Sequence, residues 1–222
     1  VVRRSLSIAA ALAAALVVAA PALAVRVHVR VEGVRTTIFG GGEPWARPVV
    51  GTIAPPAGPD VTVSTPTPFG ALERASRRGE FFYRVEPSSF GPYVAQVGRY
   101  GGSGSSGWAY KVNGVSPPVA ATDVTLKDGD HVLWYYATFG PSGGPKTLVL
   151  RKTRRPALCF KAFAQDDAGA ETAVGDVVFR VSRVPVRSAS GEYCPKKRIY
   201  SIRVAKAGGF VRSAVLAGDR AR

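Results

Sequence analysis

Methionine is absent from the chain, and cysteine and histidine occur only twice each. Two Cys and two His leave little from which to build a protein-only zinc centre, which takes about four nitrogen and sulfur ligands; no metal-binding residue is assigned. Carboxylates are scarce as well: 15 Asp+Glu stand against 30 Lys+Arg, for a formal charge of +15. No pair of acids presents itself as general acid and base. H-E-x-x-H does not occur, and the Gly/Ser-rich stretch 101–107 holds no G-x-S-x-G. His28 and His131 are far apart in sequence, and nothing local brings them together. These absences favour a protein that is not an enzyme, with no catalytic residues assigned. After residue 24 no apolar run approaches the roughly 20 residues that span a bilayer, so no transmembrane segment is expected there.

What is present begins with a leader. Arg3 and Arg4 form a positive n-region, Ser5 to Ala20 is uncharged and apolar, and Pro21 breaks the run. Ala22-Leu23-Ala24 is an A-x-A site, so residues 1–24 read as a secretory signal peptide cut between Ala24 and Val25. The apolar run is Ala-rich and short for a membrane anchor. The Arg pair fits either the general or the twin-arginine route. Valine in first position reads as a GTG start, and the Ala/Arg/Gly/Pro/Val bias as a GC-rich bacterial reading frame. A secreted, extracytoplasmic protein of the cell envelope with this charge meets anionic surfaces first. The expected partners are an anionic cell-wall polymer, a glycan or an envelope protein. The basic residues are dispersed along strands, with one dense run at Arg151-Lys152-Thr153-Arg154-Arg155, so nucleic acid is not expected.

The rest of the chain carries 25 Gly and 17 Pro in all, a composition of turns and strands. Val25 to Glu32 alternates as a half-buried strand, Val25, Val27, Val29 and Val31 on one face and Arg26, His28, Arg30 and Glu32 on the other. Residues 33–39 suit a partner strand, and 40–66 is a Pro/Gly-rich insertion of open path. One helix is expected from Pro68 to about 78, capped by Thr67, with Phe69, Leu72 and Ser76 on one face and Gly79 at its end. Strands follow at 81–85, 93–97, 108–112, 124–126 and 131–139. Gly102, Gly104 and Gly107 match G-x-G-x-x-G, but a strand follows where a nucleotide fold needs a helix, so the segment reads as a flexible loop. Asn113-Gly114 signals a type I′ turn. Asp128 and Asp130 flank Gly129 in a turn and lack the further oxygen ligands of a calcium loop. After Gly140–Pro145 the chain reads all-β, with strands at 147–150, 158–164, 177–181 and 199–205.

Gly107-Trp108-Ala109-Tyr110-Lys111-Val112-Asn113-Gly114, followed by Leu126-Lys127-Asp128-Gly129-Asp130-His131-Val132-Leu133-Trp134, resembles a known pattern. It is similar to the C-terminal domain of the transcobalamin and intrinsic-factor family, and more closely to a bacterial secreted domain of unknown function grouped with it. The resemblance covers roughly Val25 to Phe139. It implies a β-grasp-like domain, a mixed sheet packed on one helix. The large helical domain that completes the ligand site of the vitamin carriers has no counterpart here. The stretches 191–193 and 204–213 resemble parts of small immunoglobulin-like or carboxypeptidase-regulatory-like modules. The expected fold class is therefore mainly β (α+β): signal peptide 1–24, β-grasp-like domain 25–140, linker and first strand 141–157, and an immunoglobulin-like sandwich 158–222.

Two site expectations follow. Cys159 and Cys194, exported into an oxidising compartment, should form a disulfide worth roughly 3–4 kcal/mol to a small domain. Trp108 and Tyr110 should border a ligand-binding surface beside the Gly101–Gly107 loop. The functional expectation is an exported binding or adhesion protein without a cofactor. The alternative is a carrier of a small cofactor such as cobalamin.

Overall fold

The computed structural model describes residues 25–141, 143–153, 158–206 and 208–218. The signal peptide expected at 1–24, with Ala24, lies outside the described residues. Among those described, no helix is long and apolar enough to cross a membrane.

The N-terminal half runs β1 (Val27–Glu32), β2 (Thr37–Phe39), β3 (Trp45–Ala46), β4 (Gly51–Ile53), β5 (Val61–Val63), α1 (Pro68–Gly79), β6 (Tyr83–Ser88), β7 (Gly91–Val97), β8 (Tyr100–Gly101), β9 (Ser106–Val112) and β10 (His131–Thr138). The main sheet has the order β2-β1-β10-β9, with β3 also on β1. β1 and β10 are parallel at its centre, and the outer pairs are antiparallel. This is the mixed sheet with one helix that the resemblance implies. Val27, Val29 and Val31 pack under α1 with Phe69, Leu72 and Ala75, all fully buried.

Helix α1 starts as its sequence dictates. The Thr67 hydroxyl accepts from the Gly70 backbone N–H at 3.0 Å, and Pro68 fills the first turn, where no N–H is needed. Gly70 has no room for a side chain: a Cβ there would lie 2.1 Å from the Val49 carbonyl oxygen. The helix ends one residue later than expected. Glu80, not Gly79, takes the left-handed conformation (φ +50°), and its N–H bonds back to the Ser76 carbonyl.

The expected strand at 124–126 is irregular chain; Leu126 is buried and its N–H donates to the Pro66 carbonyl at 2.7 Å. The open path of residues 40–66 resolves into β3 and the β4–β5 hairpin. The flexible loop expected at 101–107 is instead a tight turn. Ser103 and Ser106 exchange backbone hydrogen bonds of 2.9 Å between β8 and β9. Asn113 and Gly114 both have positive φ, and Val112 and Val115 bond reciprocally across them, as a type I′ turn requires.

The C-terminal half runs β11 (Thr147–Thr153), β12 (Cys159–Gln165), β13 (Glu171–Ala173), β14 (Val177–Val181), β15 (Val184–Ser188), β16 (Glu192–Tyr193), β17 (Ser201–Ala205) and β18 (Leu216–Ala217). One antiparallel sheet joins β11, β12, β13 and β16; the other has the order β15-β14-β17-β18. Leu148, Phe160 and Ala162 from the first meet Phe179, Ile202 and Val204 from the second in one core. Cys159 and Cys194 form the expected disulfide, Cα atoms 4.1 Å apart.

The second face of the main sheet departs from expectation. Arg30 and Glu32 were placed on a solvated face by the alternation of β1, yet they are only 4% and 1% exposed. The C-terminal half covers them. Leu133, Tyr135 and Ala137 of β10 pack with Val211, and Lys111 of β9 donates to the Asp166 carbonyl at 2.6 Å. Glu32 accepts from Arg203 at 2.8 Å and from Arg212 at 2.6 Å, so the two halves meet over a buried charged cluster.

Candidate functional site

The geometry of the sheet decides where a site can form. Trp108 and Tyr110 of β9 pair with Tyr136 and Trp134 of β10, and all four point to the helix side. Helix α1 packs on β1, β2, β3 and β10, and β9 forms the outer edge of the sheet. The aromatics at that edge are covered instead by the β6–β7 hairpin and by the irregular segment 115–123. Between these two covers an open cavity of about 470 Å³ remains.

Its floor is held rigidly. The Trp108 indole N–H donates to the Tyr100 carbonyl at 2.8 Å, and its ring meets Tyr136 edge-on at 5.8 Å. The Trp134 indole N–H donates to the Pro68 carbonyl at 3.0 Å. Tyr110 lies 5.3 Å from the Trp134 ring and donates its hydroxyl to the Val119 carbonyl at 2.7 Å, tying the floor to the rim. Burial, assisted by the Asp123 charge, pushes the Tyr110 phenol up to about 12. It therefore stays a neutral donor across the physiological range.

The rim is apolar and exposed. Phe90, at the tip of the β6–β7 hairpin, is 85% exposed, and Tyr93 is 38% exposed. Pro117 and Pro118 stiffen the opposite wall, and Ser88 and Asp123 supply its polar groups. Gly107 lets Tyr93 lie across β9, because a Cβ there would sit 2.2 Å from the Tyr93 hydroxyl. Trp108 and Tyr110, the residues singled out from sequence, thus both line this cavity. Trp108 is buried and Tyr110 half-buried, so they form its wall and floor rather than an open platform. Phe90 and Tyr93 were missed as site residues. Tyr93 opens an expected strand and Phe90 falls between two, and only the hairpin's position over β9 brings both to the cavity.

The histidines overturn an expectation. His28 and His131 are direct neighbours in the parallel β1–β10 pair, and their rings stack at 4.3 Å. Glu43 joins them: its carbonyl lies 2.6 Å from His28 Nδ1 and its carboxylate 2.8 Å from His131 Nδ1. Burial alone would raise the Glu43 carboxyl. The His131 hydrogen bond and the Arg30 charge outweigh it and hold the group below its ordinary value. The same hydrogen bond raises His131.

Asp128 and Asp130 serve their turn. Asp128 accepts from the Arg26 N–H and Asp130 from the Lys127 N–H, both at 2.8 Å. Cys159, Cys194 and Glu192 bring three metal-ligating side chains together, but the two sulfurs are bonded to each other. Residues 140–144 do spell G-x-S-x-G, yet the chain runs on into strand β11 and not into the helix that a nucleophile elbow requires.

Residues 75–138 match a family described as a domain of unknown function, DUF4430. The matched span begins in α1 and ends with β10, so it contains β9, the hairpin and every wall of the aromatic cavity. No curated protein matches the chain.

Proposed function

We propose that this chain is an exported, non-enzymatic binding or adhesion module of the bacterial cell envelope, and that it holds its ligand in the cavity beside β9. The observation that carries the reading is the cavity itself: about 470 Å³, open, and walled by Trp108, Tyr110, Tyr93 and Phe90. That volume falls in the range of small-ligand sites. Aromatic walls with few polar groups suit a planar group or the apolar face of a sugar ring. The leader sequence and the disulfide support an extracytoplasmic setting. The Glu43–His131 pair supports no reaction on its own, since it adjoins the sheet face opposite the aromatics and contacts no serine or cysteine among the described residues.

The motif likeness to vitamin carriers supports a second reading, a carrier of a small cofactor such as cobalamin. A corrin with its nucleotide loop is larger than this cavity and would enter only in part. A thermal-shift screen with soluble wall-glycan fragments, cyanocobalamin and haem separates the readings. Stabilisation by glycan fragments alone supports the first; stabilisation by cyanocobalamin alone supports the second.

A further inference from the structure

We propose a second, separate binding site for a phosphate-type oxyanion, in the depression around Trp45 walled by Arg26, Arg47, Arg74 and Arg78. The depression holds about 360 Å³ and shares no residue with the aromatic cavity. Its four arginines come from three places: Arg26 precedes β1, Arg47 follows β3, and Arg74 and Arg78 are one turn apart on α1.

Three of the four guanidinium groups are held in position. The Arg26 guanidinium lies 5.2 Å from the centre of the Trp45 ring. Arg74 Nε donates to the Arg47 carbonyl at 2.9 Å, and Arg78 Nη1 to the Trp45 carbonyl at 2.6 Å. Each tether uses one of the five N–H donors of a guanidinium and leaves the rest for a ligand.

The charge balance points the same way. Among the described residues no carboxylate lines the depression. Other arginines of this half have acid partners: Arg77 pairs with Glu73, and Arg84 with Glu86. Arg47, Arg74 and Arg78 have no ion pair among the described residues, and Arg26 reaches Asp128 only at 4.0 Å with both groups exposed. The helix dipole accounts for a cation such as Arg78 in the last turn. It does not account for Arg26 and Arg47, which belong to other segments. Like charges gathered in this way repel unless an anion joins them. A phosphate group, with close to two negative charges and several acceptor oxygens, matches forked guanidinium donors better than a single carboxylate does.

The test measures binding of the protein to two probes at low salt: tripolyphosphate in solution, and vesicles of equimolar phosphatidylglycerol and phosphatidylcholine. The variants are Arg47→Gln and Arg26→Gln, with Arg187→Gln on β15 as a control that removes the same charge elsewhere. Among the described residues the Arg47 side chain makes no hydrogen bond or ion pair, and the helix tethers end on backbone carbonyls, so its loss leaves them in place. Binding of either probe that weakens about tenfold in Arg47→Gln and Arg26→Gln, and less than about twofold in Arg187→Gln, supports the site. Tripolyphosphate binding alone marks a soluble or polymeric phosphate as the source, and vesicle binding alone a lipid headgroup. Equal losses in all three variants, or no binding of either probe by the unaltered chain, overturns it. Loss of glycan or cyanocobalamin binding at the aromatic cavity leaves this result untouched, because the two sites share no residue.

Discussion

Arg212 donates to the Glu32 carboxylate at 2.6 Å although 180 positions separate the two residues. Arg203 and Arg30 donate to the other oxygen of the same carboxylate at 2.8 and 3.2 Å. A single buried acid on the first strand thus anchors β17 and the segment after it to the main sheet. Burial by itself would raise the Glu32 carboxyl; three guanidinium groups reverse that and hold it below its ordinary value.

Replacing Glu32 by Ala leaves three guanidinium groups crowded without their anion. We expect a loss of about 3–5 kcal/mol, the range for breaking a buried ion pair from one side. Chemical denaturation measures it. A loss below about 1 kcal/mol contradicts the role given to this cluster.

The sign of the pH effect follows from the lowered Glu32 value. Its contribution is present above the ordinary carboxylate range and disappears as pH falls through the folded value. Stability should therefore fall on acidification, and Glu32→Gln should flatten that fall. His131 acts on the other side. Its folded value is raised, chiefly by the Glu43 hydrogen bond, so its contribution is present below about 6.5 and is lost as pH rises through the folded value. Melting curves between about pH 6 and 9 should show a decline that His131→Asn removes. An unchanged slope in that variant counts against the pair.

Reducing the Cys159–Cys194 bridge should lower stability by roughly 3–4 kcal/mol. The bridge closes β12 onto the chain just after β16, so the effect should fall on the C-terminal core of Leu148, Phe160, Phe179 and Ile202. Hydrogen exchange with and without reductant checks this. Faster exchange confined to the N-terminal sheet would be the wrong result.

Trp108 separates packing from binding. It is 4% exposed and packed against Tyr136, so Trp108→Ala should cost about 3–5 kcal/mol. The informative variants are Phe90→Ala and Tyr93→Ala on the rim: Phe90 stands in solvent and Tyr93 is partly exposed across β9, so the fold loses less than at Trp108.

Local pattern carried much of this fold. The alternation of Val27, Val29 and Val31 identified the core strand, and Thr67-Pro68 placed the start of the helix. Asn113-Gly114 marked its turn because asparagine and glycine accept successive positive φ values at little cost. The failures share a cause. Arg30 and Glu32 looked solvated because their partners, Arg203 and Arg212, lie at the far end of the chain. His28 and His131 looked unrelated because a parallel strand pair joins segments that are remote in sequence. The basic depression was hidden for the same reason: its arginines are unremarkable one at a time, and only the crossing of α1 over β3 gathers them.

The most direct test of the proposed function is equilibrium binding to purified cell-wall glycan, comparing the unaltered chain with the Phe90→Ala, Tyr93→Ala double variant. The account predicts at least about a tenfold loss of affinity in the variant, with the melting temperature within about 2 °C of the unaltered chain. Equal behaviour of the two proteins, whether both bind or neither does, contradicts it.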